Sequence, residues 1–297
     1  MIGLIIGYGS AGKRHLKVLK SFKQISKIYV LTSQYLTSSK KIIFIKKIKN
    51  IYPSIIVISN ETHKHVRTLM HLEKKFKKKI IVVEKPLFQN YYKYKFRNNK
   101  IFVCYNLRYH PILKFIKQGF KLKDKVFYIE AQTSSYLPYW RKNLDYSKSY
   151  SANKKKGGGA LLDLSHEIDY IKWLFKDFKI IKIFSKKISN LNITSNDISI
   201  VIGRLSSKSL VKIKLTYFNK ISKRNLIICY ASGKQIYADL LKSTLKIVKK
   251  NKVKLVYFKK SSQYLTTKEM YHDIFNKNYK HICSYKEGLN LLRLIKK

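Results

Sequence analysis

Apolar residues open the chain as a short block, Ile2, Leu4, Ile5 and Ile6, and similar blocks recur through the N-terminal third, separated by amphipathic stretches. Brief apolar runs alternating with helix-periodic segments are the sequence form of a parallel sheet with helices on both faces. Strands are expected over 2–7, 27–32, 42–45, 54–59, 79–83 and 101–105, with helices over 12–23, 62–75 and 88–97. The stretch 33–41 is too short and polar for a full helix. The pattern changes after Pro111. A helix over 111–118 precedes longer β-like runs at 125–136, 179–188, 197–204, 208–218, 225–231, 234–239, 243–248 and 252–258, with turns such as Ser232-Gly233 between several of them. That spacing predicts a large, mostly antiparallel sheet, interrupted by a helix over 160–176 and followed by helices over 267–277 and 285–296. Two domains are expected, 1–111 and 112–297, with no internal repeat or low-complexity linker.

The turn after the first apolar block reads Gly7-Tyr8-Gly9-Ser10-Ala11-Gly12 and runs into an amphipathic helix. A G-x-G-x-x-G motif between strand and helix is the fingerprint of a dinucleotide site: one glycine for the turn, one for approach to the pyrophosphate, one for helix packing. The fold class is therefore α/β, an N-terminal Rossmann dinucleotide-binding domain followed by an α+β domain with a large, mostly antiparallel sheet. The fingerprint does not select the cofactor. An NAD-preferring chain places an acid about twenty residues further on. This chain reads Val30-Leu31-Thr32-Ser33-Gln34 there, and neutral Ser33 and Thr32 suit either NAD or NADP.

The chain has 297 residues, 45% of them hydrophobic, and a formal net charge of +49. Such a charge is first read as a nucleic-acid or membrane surface. Its distribution argues otherwise, because the lysines run along the whole chain and arginines are few: Arg14, Arg67, Arg97, Arg108, Arg141, Arg204, Arg224 and Arg293. Specific nucleic-acid readers lean on clustered arginine forks. A coding bias toward AT-rich codons accounts for Lys together with abundant Ile, Tyr and Asn. Runs such as Lys74-Lys75, Lys77-Lys78-Lys79 and Lys154-Lys155-Lys156 are then solvated surface that still attracts anionic substrates. Cys104, Cys229 and Cys283 form no C-x-x-C pair, which fits a reducing, cytoplasmic compartment. No signal-peptide order is evident, and no stretch reaches the ~18 consecutive apolar residues of a membrane helix. His63 and His65 lie close together without cysteine or carboxylate spacing for a metal site, so no metal is expected.

Four further segments carry chemistry. Val83-Glu84-Lys85-Pro86 ends a predicted strand, where open α/β sheets bind ligands. Ser59-Asn60-Glu61-Thr62-His63-Lys64-His65 follows another strand, and Asn106-Leu107-Arg108-Tyr109-His110-Pro111 ends the first domain. Gly157-Gly158-Gly159 leads into Ala160-Leu161-Leu162-Asp163-Leu164-Ser165-His166-Glu167-Ile168-Asp169. In this order they resemble the Gfo/Idh/MocA family of NAD(P)-dependent oxidoreductases over nearly the entire chain: its E-K-P, its S/C-N-P-T-x-x-H loop with Glu61 in place of proline, its N-x-R-F-x-P hinge, and its glycine-led helix with a catalytic histidine. Tyr136-Leu137-Pro138-Tyr139-Trp140-Arg141, with Asp145-Tyr146 and Tyr150-Ser151, resembles a branch found with surface-glycan and flagellin-sugar biosynthesis.

The resemblance implies catalytic roles for Lys85, His166 and Asp163. It implies cofactor contacts at Gly7, Gly9, Ser10, Ala11, Gly12, Ser33, Ser59, Asn60, His65, Glu84, Lys85 and Asn106, and substrate contacts at Arg108, Trp140, Arg141 and Tyr170. It also implies a cis Lys85–Pro86 bond, a sugar or nucleotide-sugar substrate and a homodimer or homotetramer. Read from the residues, a helix turning about 100° per residue puts Leu161, Leu164, Ile168, Ile171 and Phe175 on one face. Asp163, His166 and Tyr170 fall nearly opposite, a carboxylate, an imidazole and a phenol suited to proton transfer. One departure concerns Asp163, which stands three residues before His166 where the family spaces the pair by four. The expected activity is hydride transfer between nicotinamide and a hydroxyl or keto carbon. A rival reading is a non-catalytic cofactor- or anion-binding protein with a basic surface, which would have no need of Lys85 with His166. A redox relay around an elimination or epimerisation shares the same residues.

Overall fold

The computed structural model describes all residues except 120–123, 142–143, 206–208 and 297. In chain order it holds β1 (Ile2–Ile6), α1 (Ser10–Lys20), β2 (Lys27–Leu31), β3 (Ile42–Ile45), β4 (Ile55–Ile58), α2 (His65–Lys75), β5 (Ile80–Val83) and β6 (Lys100–Val103). Then come α3 (Pro111–Gly119), β7 (Val126–Tyr136), α4 (Ala160–Asp163), α5 (His166–Leu174), β8 (Lys179–Lys186), β9 (Ile198–Arg204), β10 (Leu210–Thr216) and β11 (Phe218–Tyr230). The chain ends with β12 (Gln235–Asp239), β13 (Thr244–Lys249), β14 (Lys252–Tyr257), α6 (Gln263–Phe275), β15 (Cys283–Ser284) and α7 (Tyr285–Ile295). The expected strand start at 208 lies outside the described residues. No described helix is long and apolar enough to cross a membrane.

Two compact units form, 1–106 with 263–296, and 107–262. The first is built on a seven-stranded sheet in the order β15-β6-β5-β4-β1-β2-β3, parallel except for the antiparallel β15. All four residues of β4 are buried, as expected for a parallel strand covered on both faces. The order 3-2-1-4-5-6 is that of a dinucleotide-binding fold, with its switch point between β1 and β4. The units depart from the expected domains 1–111 and 112–297 in two respects: residues 107–111 fall in the second unit, and the C-terminal segment from Gln263 returns to the first. Capped by Ser284 and Glu287, α7 brings Gly288 against Val103 of β6 so closely that a Cβ would lie 2.6 Å from Val103 Cγ2. A two-residue strand such as β15 leaves no periodicity to read.

The expected helix over 88–97 does not form. Aromatic side chains are weak helix formers, and here Phe88, Tyr92, Tyr94 and Phe96 form a chain of ring contacts ending on Tyr285. The backbone N–H groups of Arg97 and Asn98 donate to the buried Glu73 carboxylate at 2.6 and 2.5 Å. Tertiary packing overrides the local pattern.

The second unit carries an eight-stranded sheet, β14-β13-β12-β11-β7-β10-β9-β8, antiparallel except for the β7–β10 pair. Along its strands Ile129, Ala131, Val211, Ile213, Leu215, Leu226 and Ile228 are buried at every second position, as in a sheet with one covered face, while Val253 and Leu255 of the edge strand β14 are exposed. The expected single helix over 160–176 is two helices. Leu164 leaves helical dihedrals (φ −101°, ψ 25°), and the pieces pack differently, α4 on β9 and β10, α5 on β7 and α3.

Candidate active site

In the first unit the chemistry gathers at the carboxyl ends of β1, β4 and β5. Gly7 turns the chain at φ +95°, and a Cβ there would lie 2.6 Å from the Asn60 nitrogen. At Gly12 a Cβ would lie 2.1 Å from the Gly7 carbonyl oxygen, so only glycine brings α1 this close to the turn. Ser59, buried after β4, locks the loop by donating to the carbonyls of Ile6 (3.1 Å) and Gly7 (2.9 Å). Gly9 is different: a Cβ would meet nothing within 4 Å. That open space faces the start of α1, which has no side-chain cap and no acid in its first turn. Uncapped N–H groups, the positive helix end and free space together fit a phosphate. Ser10 is exposed and Ala11 half-buried on this turn.

Lys85, half-buried, follows β5, and its bond to Pro86 is cis. Two buried side chains hold its flanks. The His65 ring bridges the loops after β4 and β5, with Nε2 3.0 Å from the Asn60 carbonyl and Nδ1 3.2 Å from those of Pro86 and Leu87. Burial lowers its pKa, while the three carbonyls, which can only accept, pull the other way. Glu84 accepts from Arg14 (2.5 Å), His15 Nε2 (2.8 Å) and the Lys85 backbone N–H (3.1 Å). Burial opposes ionisation, yet the Arg14 charge and the His15 bond hold this carboxyl well below the usual range. Tyr271 of α6 closes the network with its hydroxyl 2.7 Å from His15 Nδ1. His15, Glu84 and Cys104 bring one ligand atom each within 4.8 Å of one another. Arg14 already supplies the positive charge a cation would bring, and burial with the adjacent Glu84 charge pushes the Cys104 thiol pKa up, away from the thiolate. Asn106 spends its amide on Thr266 and Thr267, both at 3.0 Å.

A cavity of about 540 Å³ opens beside this turn. Ile6 and Leu31 close one side, Asn60 contributes to the wall, and Lys46, Lys47, Arg67, His71 and Lys75 ring it. Exposed Ser33 lies just past β2, and its carbonyl accepts from Lys46 Nζ at 2.8 Å.

In the second unit the triple glycine brings the backbone against neighbouring chain: a Cβ on Gly158 would lie 2.2 Å from the Tyr150 carbonyl oxygen. Asn196 fixes the start of α4 by accepting from the N–H groups of Ala160 (2.9 Å) and Leu161 (3.1 Å). Asp163 then ends α4 buried, accepting from the Tyr217 hydroxyl at 2.6 Å. Burial and then this carboxylate keep Tyr217 well above its ordinary pKa, and Tyr150 is shifted upward for the same two reasons. Trp140 packs edge-on to Tyr217 (5.1 Å between ring centroids) and donates to Ser135, while the Arg141 guanidinium lies 5.8 Å from the Tyr150 ring centre. His166, half-buried, is the first residue of α5.

Two sequence readings change here. The helical wheel placed Tyr170 with Asp163 and His166, but the break at Leu164 resets the phase and Tyr170 is fully buried, its hydroxyl without a hydrogen-bond partner among the described residues. Arg108, expected at substrate, is buried and grips Asp169 with two bonds of 2.9 and 2.7 Å. Asp163, to which the resemblance gives a catalytic role, also accepts from the Tyr217 hydroxyl. Sequence reasoning missed Arg14, His15, Tyr217 and Lys46. For His15 a signal existed, since Gly12, His15, Leu16 and Leu19 share the buried face of α1.

This is a two-unit α/β chain with a phosphate cradle at its switch point and a lysine on the neighbouring strand end. A family model described as the oxidoreductase family, C-terminal alpha/beta domain, matches residues 124–294, more than half of the chain. The chain belongs to the Gfo/Idh/MocA oxidoreductase family. It is similar in fold to UDP-N-acetylglucosamine 3-dehydrogenase from Acidithiobacillus ferrooxidans, at 14% identity and a TM-score of 0.76 over 99% of this chain and 95% of that one. It is also similar to levoglucosan dehydrogenase in complex with NADH, at 15% identity and a TM-score of 0.82 over the same shares. No curated protein matches the chain.

Proposed function

We propose that the protein is an NAD(P)-dependent oxidoreductase that moves hydride between the nicotinamide and a hydroxyl or keto carbon of a sugar or sugar derivative. The observation that carries this reading is Lys85, set past the carboxyl end of β5 with its backbone N–H held by Glu84 and the following carbonyls held by His65. A mere binder has no use for a lysine so fixed. The names of the two similar structures, one a nucleotide-sugar dehydrogenase, favour a sugar or nucleotide sugar as substrate.

When bound, the nicotinamide accepts or donates the hydride. Lys85 Nζ donates a hydrogen bond to the substrate oxygen and stabilises the negative charge that builds there as its proton leaves. An imidazole nitrogen of His166 takes that proton as general base and returns it in the reverse direction. Asp163, steadied by Tyr217, offers a fixed acceptor to a second hydroxyl. Trp140 and Arg141 supply an aromatic face and a guanidinium for the substrate. Arg108 and Tyr170 support the fold around them.

The test is Lys85→Ala, with turnover measured on a panel of sugars and nucleotide sugars and cofactor binding followed by fluorescence. Losing one donor to a developing oxyanion costs roughly 100- to 1000-fold in turnover, and cofactor affinity should hold. Turnover equal to that of the unaltered protein would refute the assignment.

A further inference from the structure

A parallel sheet reads the adenosine ribose at the end of its second strand, where an acid selects the free 2′-hydroxyl and a basic residue accommodates a 2′-phosphate. Here Thr32-Ser33-Gln34 follow β2 and carry no acid. What stands beside them comes from the neighbouring strand. Leu31 pairs with Ile45, the last residue of β3, so the next residue, Lys46, emerges alongside the β2 turn. Its ammonium donates to the carbonyls of Ser33 and Gln34, both at 2.8 Å, and lies 4.1 Å from the Tyr35 ring centre. An ammonium has three N–H donors. Two are spent fixing this one in place, and the third is left for a ligand.

The cavity beside it has the composition of an anion seat. Lys46, Lys47, Arg67 and Lys75 line it, and no Asp or Glu does among the described residues. The buried acid on α2, Glu73, turns its carboxylate to the backbone N–H groups of Arg97 and Asn98 and the side chain of Asn99. We infer that this cavity receives the 2′-phosphate of NADP(H), with Lys46 the fixed reader and Lys47 and Arg67 completing the charge, and that the protein selects NADP(H) over NAD(H). The inference rests on the dinucleotide reading above and settles which dinucleotide. A phosphomonoester carries about −1.5 to −2 charges near neutrality. It gives these cations the counter-charge that the chain itself does not place in the cavity.

Calorimetric titration of the intact protein with NADP⁺, NAD⁺, 2′,5′-ADP and 5′-ADP tests it. NADP⁺ should bind at least roughly tenfold more tightly than NAD⁺, and 2′,5′-ADP more tightly than 5′-ADP, which also bears two phosphate groups. Lys46→Gln and Arg67→Gln should each weaken NADP⁺ much more than NAD⁺, and added salt should narrow the gap because these cations are exposed. Equal or tighter NAD⁺ binding overturns the inference and leaves the oxidoreductase reading standing. Equal binding of the two ADP isomers overturns it too, reducing the cavity to unspecific attraction of anions. NADP⁺ selection that survives both substitutions overturns the assignment to these residues. If neither dinucleotide binds, the oxidoreductase reading fails and takes this one with it.

Discussion

His110 offers a prediction whose magnitude follows from its surroundings. The ring is buried in the second unit, with Nε2 3.0 Å from the Leu240 carbonyl and Nδ1 3.3 Å from the Ile112 backbone nitrogen. An amide nitrogen can only donate, so Nδ1 accepts and the proton resides on Nε2, which donates to Leu240. The neutral imidazole is satisfied on both sides. A second proton would face the Ile112 N–H, in a desolvated pocket already under the charge of Arg224. Desolvation, the largest cause, outweighs the Leu240 bond and, with a smaller push from Arg224, takes the pKa from 6.5 to about 4.

A folded pKa below the unfolded one means stability that is present above 6.5 and lost as pH falls toward about 4. Near pH 5 the unfolded residue is almost fully protonated and the folded one about a tenth, so about 2 kcal/mol disappears between roughly pH 7.5 and 5. His110→Gln keeps an acceptor for Ile112 and a donor for Leu240 but cannot titrate. Urea unfolding at both pH values should show the unaltered protein losing more stability than the variant, by a midpoint difference on the order of 1 M. His15 and His65, whose pKa values burial also lowers, contribute to both proteins and cancel. Equal pH dependence in the two proteins, or a His110 resonance titrating at 6.5 or above in NMR, would refute this reasoning.

Gly9→Ala and Gly12→Ala should separate ligand space from fold. With nothing within 4 Å of its Cβ, the first should melt normally and bind dinucleotide more weakly, whereas the second, driven against the Gly7 carbonyl, should lose about 1–3 kcal/mol as well; thermal melts and calorimetry read both. Glu84→Gln leaves Arg14 and His15 facing a neutral amide and should cost about 2–4 kcal/mol in urea unfolding near neutral pH, discounted because Arg14 is partly exposed. Since the folded carboxyl is held low, the contribution is full above its ordinary value of 4.5 and fades as pH falls below it, so the variant should approach the unaltered protein in acid.

Much of the framework was legible because its signals are local and repeated. The strands of the first sheet are short apolar runs, and the glycine fingerprint fixes which turn faces phosphate. The misreadings share a cause, the dominance of distant partners over local pattern. Residues 88–97 have helical spacing but spend their rings on one another and on Tyr285. The helix carrying His166 reads as continuous until its two halves are drawn to different strands. Lys46 was invisible as one lysine among many. Only the neighbouring of β2 and β3 gives it a place, and sheet order is not written in either strand.

The same contrast divides the motif residues by what their polar atoms already do. Ser59, Glu84, Asn106 and Arg108 make two or more bonds each to the protein itself, and both His65 ring nitrogens face backbone carbonyls. They fix the turns on which other groups stand. Gly9 contributes space, the uncapped start of α1 contributes donors, and the acid-free cavity beside Lys46 contributes charge. A resemblance read from sequence weights all of these alike, because a residue that braces a loop and one that meets a ligand are equally fixed in a motif. Their substitution should tell them apart: loss of a brace lowers stability and affinity together, whereas loss of a ligand group lowers affinity alone. Glu84→Gln against Lys46→Gln is the pair in which that difference is sharpest, one removing the centre of a buried network and the other a tethered charge at an open rim.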